Sequence, residues 1–187
     1  SFIAIFRFMA KYPEHAEKVY AELQTVDIHD ANALASLSHM TAVIKECLRL
    51  LPPVLTGNGR VTGPGGLVID GTFIPAYTKV NAPKDVSKIP EAFIHPDDFI
   101  PERWYSRPEL IIDKRAFRPF GVGNRTCVGK TFAWLELRLV TAILLHHFTV
   151  EFAPGYNEDD IFTGLKDHVT AQPGRTMCLF HPRTAAK

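Results

Sequence analysis

Residues 120–129 run Phe120-Gly121-Val122-Gly123-Asn124-Arg125-Thr126-Cys127-Val128-Gly129, and a long apolar stretch over 132–145 follows directly. A glycine-rich loop that delivers one cysteine to the start of a helix suits a thiolate. Unpaired backbone N–H groups and the positive end of the helix dipole favour S⁻ over S–H, and Gly121, Gly123 and Gly129 allow the backbone to approach the sulfur closely. The product is a soft, electron-rich ligand. On the residues alone, a helix-start loop holding a small buried cysteine explains the same pattern, because free cysteine is among the most buried residue types.

Working outward, the segment before this loop is punctuated by proline, with ten of the fourteen prolines between Pro52 and Pro119. It has room only for short strands, over 66–70 and 72–74 about a turn at Gly71, within ordered loop. Earlier, Phe2, Ile5, Phe6 and Met9 recur at helical spacing, stop near Pro13, and resume as Ala16, Val19, Tyr20 and Leu23. A third helix over 38–51 carries the stripe Leu37, Met40, Ile44, Cys47, Leu48 and Leu51, and Pro52 and Pro53 end it. Beyond Gly129, the helix containing Phe132, Leu135, Leu137, Leu139, Val140 and Leu145 is apolar on nearly every side, the pattern of a core element. Strand-like runs over 149–152 and 176–180 close the chain, with 181–187 expected as a frayed tail. The fold class expected is mainly α with small β-sheets.

Composition narrows the function. The chain has 187 residues, 46% hydrophobic and 22% charged, the profile of one soluble folding unit. Lys+Arg 21 against Asp+Glu 20 excludes nucleic acid as the principal partner. Cys47, Cys127 and Cys178 stand far apart without a C-x-x-C pair, which fits reduced thiols in an intracellular setting rather than a disulfide framework or a zinc knuckle. No apolar run approaches the roughly 20 residues that span a bilayer. The chain opens on Ser1 with no secretory signal, and it is expected to lack its natural N-terminal part.

Phe120, Gly123, Arg125, Cys127 and Gly129 match F-x-x-G-x-R-x-C-x-G, and the chain resembles the haem-thiolate cytochrome P-450 family. Glu46 and Arg49 match its E-x-x-R, Pro101-Glu102-Arg103-Trp104 is similar to its P-E-R-F with Trp for Phe, and Ala133 and Glu136 extend the cysteine motif. The tract Asp113-Lys114-Arg115-Ala116-Phe117-Arg118-Pro119-Phe120 is similar to the filamentous-fungal branch, which points to fungal secondary metabolism. The resemblance implies that residues 1–187 are the C-terminal part of a single cytochrome P-450 domain, with Cys127 as axial ligand of haem iron and Phe120 beside it. It further implies that Arg125 and Arg60 bind the haem propionates, Arg125 as a charge-assisted fork, and that Gly123 and Gly129 shape the loop. Glu46, Arg49 and Arg103 would form a buried triad behind the haem. On a helical wheel, however, Glu46 lies opposite the apolar stripe, where a solvated pair is the simpler reading. Tyr77 stands where the family usually has Gly, and Asn81-Ala82-Pro83-Lys84-Asp85-Val86 replaces its common H-R-D-like turn.

The same resemblance implies a monooxygenase of small apolar substrates. NADPH would supply electrons through a separate reductase, and the full-length protein would be anchored at the endoplasmic reticulum. Lys114, Arg115, Arg118 and Lys130 form a basic cluster on which a reductase with an acidic face could dock. The helix over 2–9 resembles only the last turns of the oxygen-activating helix, so the chain alone is expected to be inactive, with the helices over 2–9 and 132–145 short of packing partners. Alternatives are a divergent remnant without catalysis and a peroxide-rearranging haem-thiolate enzyme, whose loop before the cysteine often differs in length. A phosphate loop fails because five residues, not four, separate Gly123 from Gly129. A dinucleotide fingerprint fails at Thr62, and His146-His147 is no H-E-x-x-H metal motif.

Overall fold

The computed structural model describes residues 1–57 and 59–183. Helix α1 (Phe2–Lys11) stops because Tyr12 precedes Pro13, whose ring clashes with a helical residue before it, and Tyr12 takes φ −126°, ψ 72°. Pro13 then opens α2 (Pro13–Leu23), the position where a missing N–H costs nothing. A short α3 (Ala31–Ser36), not expected from periodicity, is started by the Asp30 carboxylate, which accepts from the Asn32 and Ala33 amides. Helix α4 (Ser38–Leu50) has Leu37 at its N-cap and no cap of its own. Glu22 of α2 supplies one, its two oxygens accepting from His39 N at 2.8 Å and Met40 N at 2.9 Å.

After Pro52 come two small antiparallel ladders. Strand β1 (Arg60–Val61) pairs with β4 (Lys79–Val80), and β2 (Leu67–Ile69) with β3 (Thr72–Ile74), Leu67 facing Ile74. The segment to residue 125 is loop with 3-10 turns, among them Lys84–Lys88, Pro101–Trp104 and Gly123–Arg125. Helix α5 (Lys130–His147) leads straight into β5 (Phe148–Phe152). Past the short α6 (Asp160–Thr163) and the β6 (Lys166–His168) and β7 (Thr170–Gln172) hairpin, β8 (Cys178–Pro182) pairs with β5.

The core joins α1, α2 and α4. Ile5, Met9, Val19, Leu23, Met40, Val43 and Ile44 are buried in one cluster with Leu137 and Leu145 of α5. Each such side chain contributes about 1.5–3 kcal/mol relative to exposure. Two sequence expectations are corrected here. Helix α1 is not short of partners: Ala4 to Met9 are all buried, because α4, β5 and β8 enclose it. Conversely, α5 is not a core helix on every side. Only Leu137, Thr141, Ala142 and Leu145 of its eighteen residues are buried, and Phe132 remains 69% exposed.

The tail is also better held than expected. Arg183 forms a forked ion pair with Glu17 at 2.7 and 3.1 Å, donates to Leu145 O and lies 3.8 Å from the Tyr20 ring centroid. Residues 184–187 of the expected frayed tail lie outside the described residues. Among the described residues, no helix is long and apolar enough to cross a membrane.

Candidate functional site

The loop before α5 is built by two turns that need glycine. Gly121 and Gly123 have φ +73° and +71°, in the left-handed region that a side chain disfavours. Cys127 N donates to Phe120 O at 2.9 Å and Thr126 Oγ1 to Gly123 O at 2.8 Å, closing the loop on itself. The close-approach role expected of these glycines is therefore replaced by a conformational one. Gly129 differs, because a Cβ there would stand 3.8 Å from Cys127 Sγ, in ordinary contact.

Cys127 itself is exposed, which removes the reading of a small buried cysteine. Among the described residues no donor hydrogen-bonds to Sγ. The other thiols differ in kind. Burial, and then the Glu46 carboxylate, push the Cys47 thiol well up, and burial also raises Cys178, so both hold their protons near neutrality. Around Cys127 the surface is apolar and uncovered: Val128 is fully exposed, and Val122, Phe132 and Leu135 are exposed with it. Phe120 packs beside Trp134 with ring centroids 6.1 Å apart. It also borders a hollow shared with Ser1, Phe2, Leu48, Pro53 and Ala133. Arg125 is exposed and makes no side-chain hydrogen bond or ion pair among the described residues. Arg60 is on β1, exposed, with Nη1 donating to Gly59 O at 3.1 Å.

Behind the loop, Glu46, Arg49 and Arg103 are each 0% exposed. The solvated pair suggested by the helical wheel is corrected: the turn Pro101–Trp104 packs onto the polar side of α4 and seals it. Glu46 Oε1 accepts from Arg49 Nη2 at 2.8 Å, Arg103 Nε at 2.9 Å and Ile100 N at 3.1 Å. Oε2 accepts from Arg49 Nε at 3.0 Å and Trp104 Nε1 at 2.8 Å. The guanidiniums donate outward to chain carbonyls, Arg49 to Ser87, Pro96 and Asp98, and Arg103 to Ile94, His95, Leu110 and Asp98. Burial, with the like charge of Arg49 in addition, pulls the Arg103 pKa down against the pull of Glu46. Sequence reasoning noted Trp104 only as a departure from Phe, yet its indole N–H fills the carboxylate's remaining acceptor site. The signal was present in the substitution itself, which adds one donor beside a buried carboxylate.

In the basic cluster, Arg115 is neutralised by Asp113, whose two oxygens accept from Nε and Nη2 at 2.8–3.0 Å. Tyr77 occupies the left-handed region at φ +59°, which explains why a glycine suits this turn.

A mostly helical chain with small sheets, ordered in this way, is the C-terminal portion of a haem-domain fold. The crystal structure of the cytochrome P450DA haem domain matches it with a TM-score of 0.80 at 23% identity, over 97% of this chain and 40% of that one. The family model described as Cytochrome P450 matches residues 2–180, and the chain belongs to that family. It is 37% identical over 180 residues to cytochrome P450 monooxygenase sthD of Phaeosphaeria nodorum, covering 94% of this chain and 38% of that protein. It is 36% identical over 157 residues to cytochrome P450 monooxygenase nodW of Hypoxylon pulicicidum, covering 81% of this chain and 30% of that protein. The chain thus spans about a third of the length of these curated relatives, both fungal.

Proposed function

We propose that this chain forms the thiolate side of a haem-dependent monooxygenase, with Cys127 as the iron ligand. The observation that carries the reading is the outward-facing Cys127 thiol set among uncovered apolar side chains in a cytochrome P450 chain. The residues present fit haem: one accessible soft donor at Cys127, exposed apolar side chains at Val122, Val128 and Phe132, and at Arg125 an exposed guanidinium, with no side-chain partner among the described residues, for a carboxylate. Bound there, haem would supply an iron centre for reducing dioxygen with electrons from NADPH, so that one oxygen atom could enter a small apolar substrate.

The chain's own residues do the holding. Cys127 Sγ would be the electron-pair donor to the iron, and the Cys127 N–H to Phe120 O bond ties the cysteine to the Phe120 end of the loop. Gly121 and Gly123 make the turns that bring Arg125 and Cys127 into one short loop. Arg125, with Arg60 from β1, would take the propionates, and Gly129 closes the loop ahead of α5. Glu46, Arg49 and Arg103 touch neither cofactor nor substrate; they pin the Ile94–Leu110 carbonyls to α4 and so position the segment leading to the loop. Lys114, Arg118 and Lys130 offer an exposed basic rim to an acidic reductase face. The domain to which the chain belongs is read as a single haem-thiolate domain with residues 1–187 as its C-terminal part, in an intracellular protein.

The test is spectroscopic and uses the full-length protein. Cys127→Ala should lose the long-wavelength Soret band of the carbon monoxide complex, whereas Cys47→Ala and Cys178→Ala should keep it. An unchanged band in Cys127→Ala overturns the assignment.

A further inference from the structure

Away from the Cys127 loop, three metal-ligating side chains converge: His15 on α2, His39 on α4, and Glu102 in the turn Pro101–Trp104, their ligand atoms all within 4.8 Å of one another. His15 Nδ1 is 3.1 Å from His39 Nε2 and 3.9 Å from Glu102 Oε1. The two imidazoles are 8% and 4% exposed, and their rings lie 5.2 Å apart at an interplanar angle of 17°. Nothing in the haem-side reading uses any of these groups.

We propose that this cluster is a second metal site, for a divalent transition metal of the zinc type, ligated by His15 Nδ1, His39 Nε2 and the Glu102 carboxylate with water completing the shell. Ligands about 2.0–2.1 Å from a tetrahedral zinc stand about 3.3 Å apart; the two imidazole nitrogens are already close to that spacing, and the Glu102 carboxylate must swing in toward them as the metal binds. Two imidazoles and one carboxylate favour zinc over the all-oxygen shells of calcium and magnesium. Next to the ligands, His39 Nδ1 is 3.1 Å from Tyr105 Oη, a hydrogen-bond partner that orients the ring; with the hydroxyl accepting, Nε2 is left free for the metal.

Both rings are held in place by burial and by aromatic neighbours, His15 edge-on to Phe99 and His39 edge-on to Tyr105. Without metal, the facing nitrogens share one proton, one ring donating to the other. Metal entry moves that proton to His15 Nε2, a tautomer exchange that leaves the imidazole neutral and forms the metal–Nδ1 bond. The Lys18 ammonium, 2.8 Å from Glu102 Oε1 and half-exposed, already stands as a cation on this carboxylate. It leaves toward solvent as the metal arrives. A hollow lined by Lys18, Glu22, His39 and Tyr105 borders the cluster on the His39 side.

The chelator-stripped full chain is titrated with Zn²⁺ by calorimetry, as the parent and as Cys127→Ser, so that the exposed thiol is removed as a competing ligand. One saturable site should persist in Cys127→Ser and weaken by more than about tenfold in His15→Gln and His39→Gln. Because the buried variants risk misfolding, two surface changes decide independently. Lys18→Met should tighten binding about two- to fivefold by removing the resident cation, and Tyr105→Phe should weaken it about tenfold by releasing His39 Nδ1. X-ray absorption should show two imidazoles and no sulfur around the zinc. The proposal is overturned by the absence of a saturable site in Cys127→Ser, by sulfur in the shell, or by unchanged affinity in a folded His39→Gln.

Discussion

Removing the Glu46 carboxylate is the most revealing perturbation of this fold. Glu46 is fully buried and accepts five hydrogen bonds, three of them from the two guanidiniums and two from Trp104 Nε1 and Ile100 N. In Glu46→Gln those cations, also fully buried, face each other with no counter-charge. Breaking a buried pair by removing one partner costs about 3–5 kcal/mol, because the surviving charge is left desolvated. Here two charges survive, so the upper part of that range is expected. Arg49→Ala leaves Glu46 paired one-to-one with Arg103 and should cost less, although it frees the carbonyls of Ser87, Pro96 and Asp98. Against a total stability of about 5–15 kcal/mol, the Glu46 change is a large fraction of the whole. In thermal unfolding, about 2–4 °C per kcal/mol translates it to a fall of about 8–20 °C. The double variant Glu46→Gln/Arg49→Met should lose less than the sum of its parts, since it removes a cation together with the anion. Urea titrations of the single and double variants, with haem content of the full-length proteins measured alongside, make the comparison. A loss under about 1 kcal/mol for Glu46→Gln, or strict additivity in the double variant, would refute the reasoning.

Two further outcomes follow from local geometry. The folded pKa of His39, about 4, lies below its ordinary value near 6.5, so the unfolded chain binds the proton more readily between these values. Stability from the neutral ring is fully present above about pH 6.5 and is lost as pH falls toward 4; with chelator present, parent minus His39→Gln unfolding free energies across this window should show that slope, and a flat difference would contradict it. At Tyr77, with φ +59° and the ring 74% exposed, Tyr77→Gly should relieve left-handed strain and raise stability by about 0.5–1 kcal/mol in a urea midpoint measurement. A lower midpoint would mean that the ring contributes packing.

What the sequence by itself determined is local chemistry. Pro13 and Pro52 mark helix ends because a proline constrains its neighbour wherever it stands, and α1, α2 and α4 begin and end there. The glycines of the Cys127 loop mark turns for the same reason, and the loop's pattern was enough to recognise the family that the comparisons then showed. Short elements such as α3 and the β1–β4 ladder escaped notice, since so few residues carry no periodicity. Only the tertiary structure decided which face of each helix is covered. A helical wheel orders the faces of α4 by polarity, but it cannot register that the turn around Arg103 returns to bury Glu46. Nor can it register that the apolar flank of α5 at Phe132 and Leu135 stays open. The meeting of His15, His39 and Glu102 lies beyond any spacing rule, because three elements far apart in the chain supply one ligand atom each and only their packing brings those atoms within 4.8 Å.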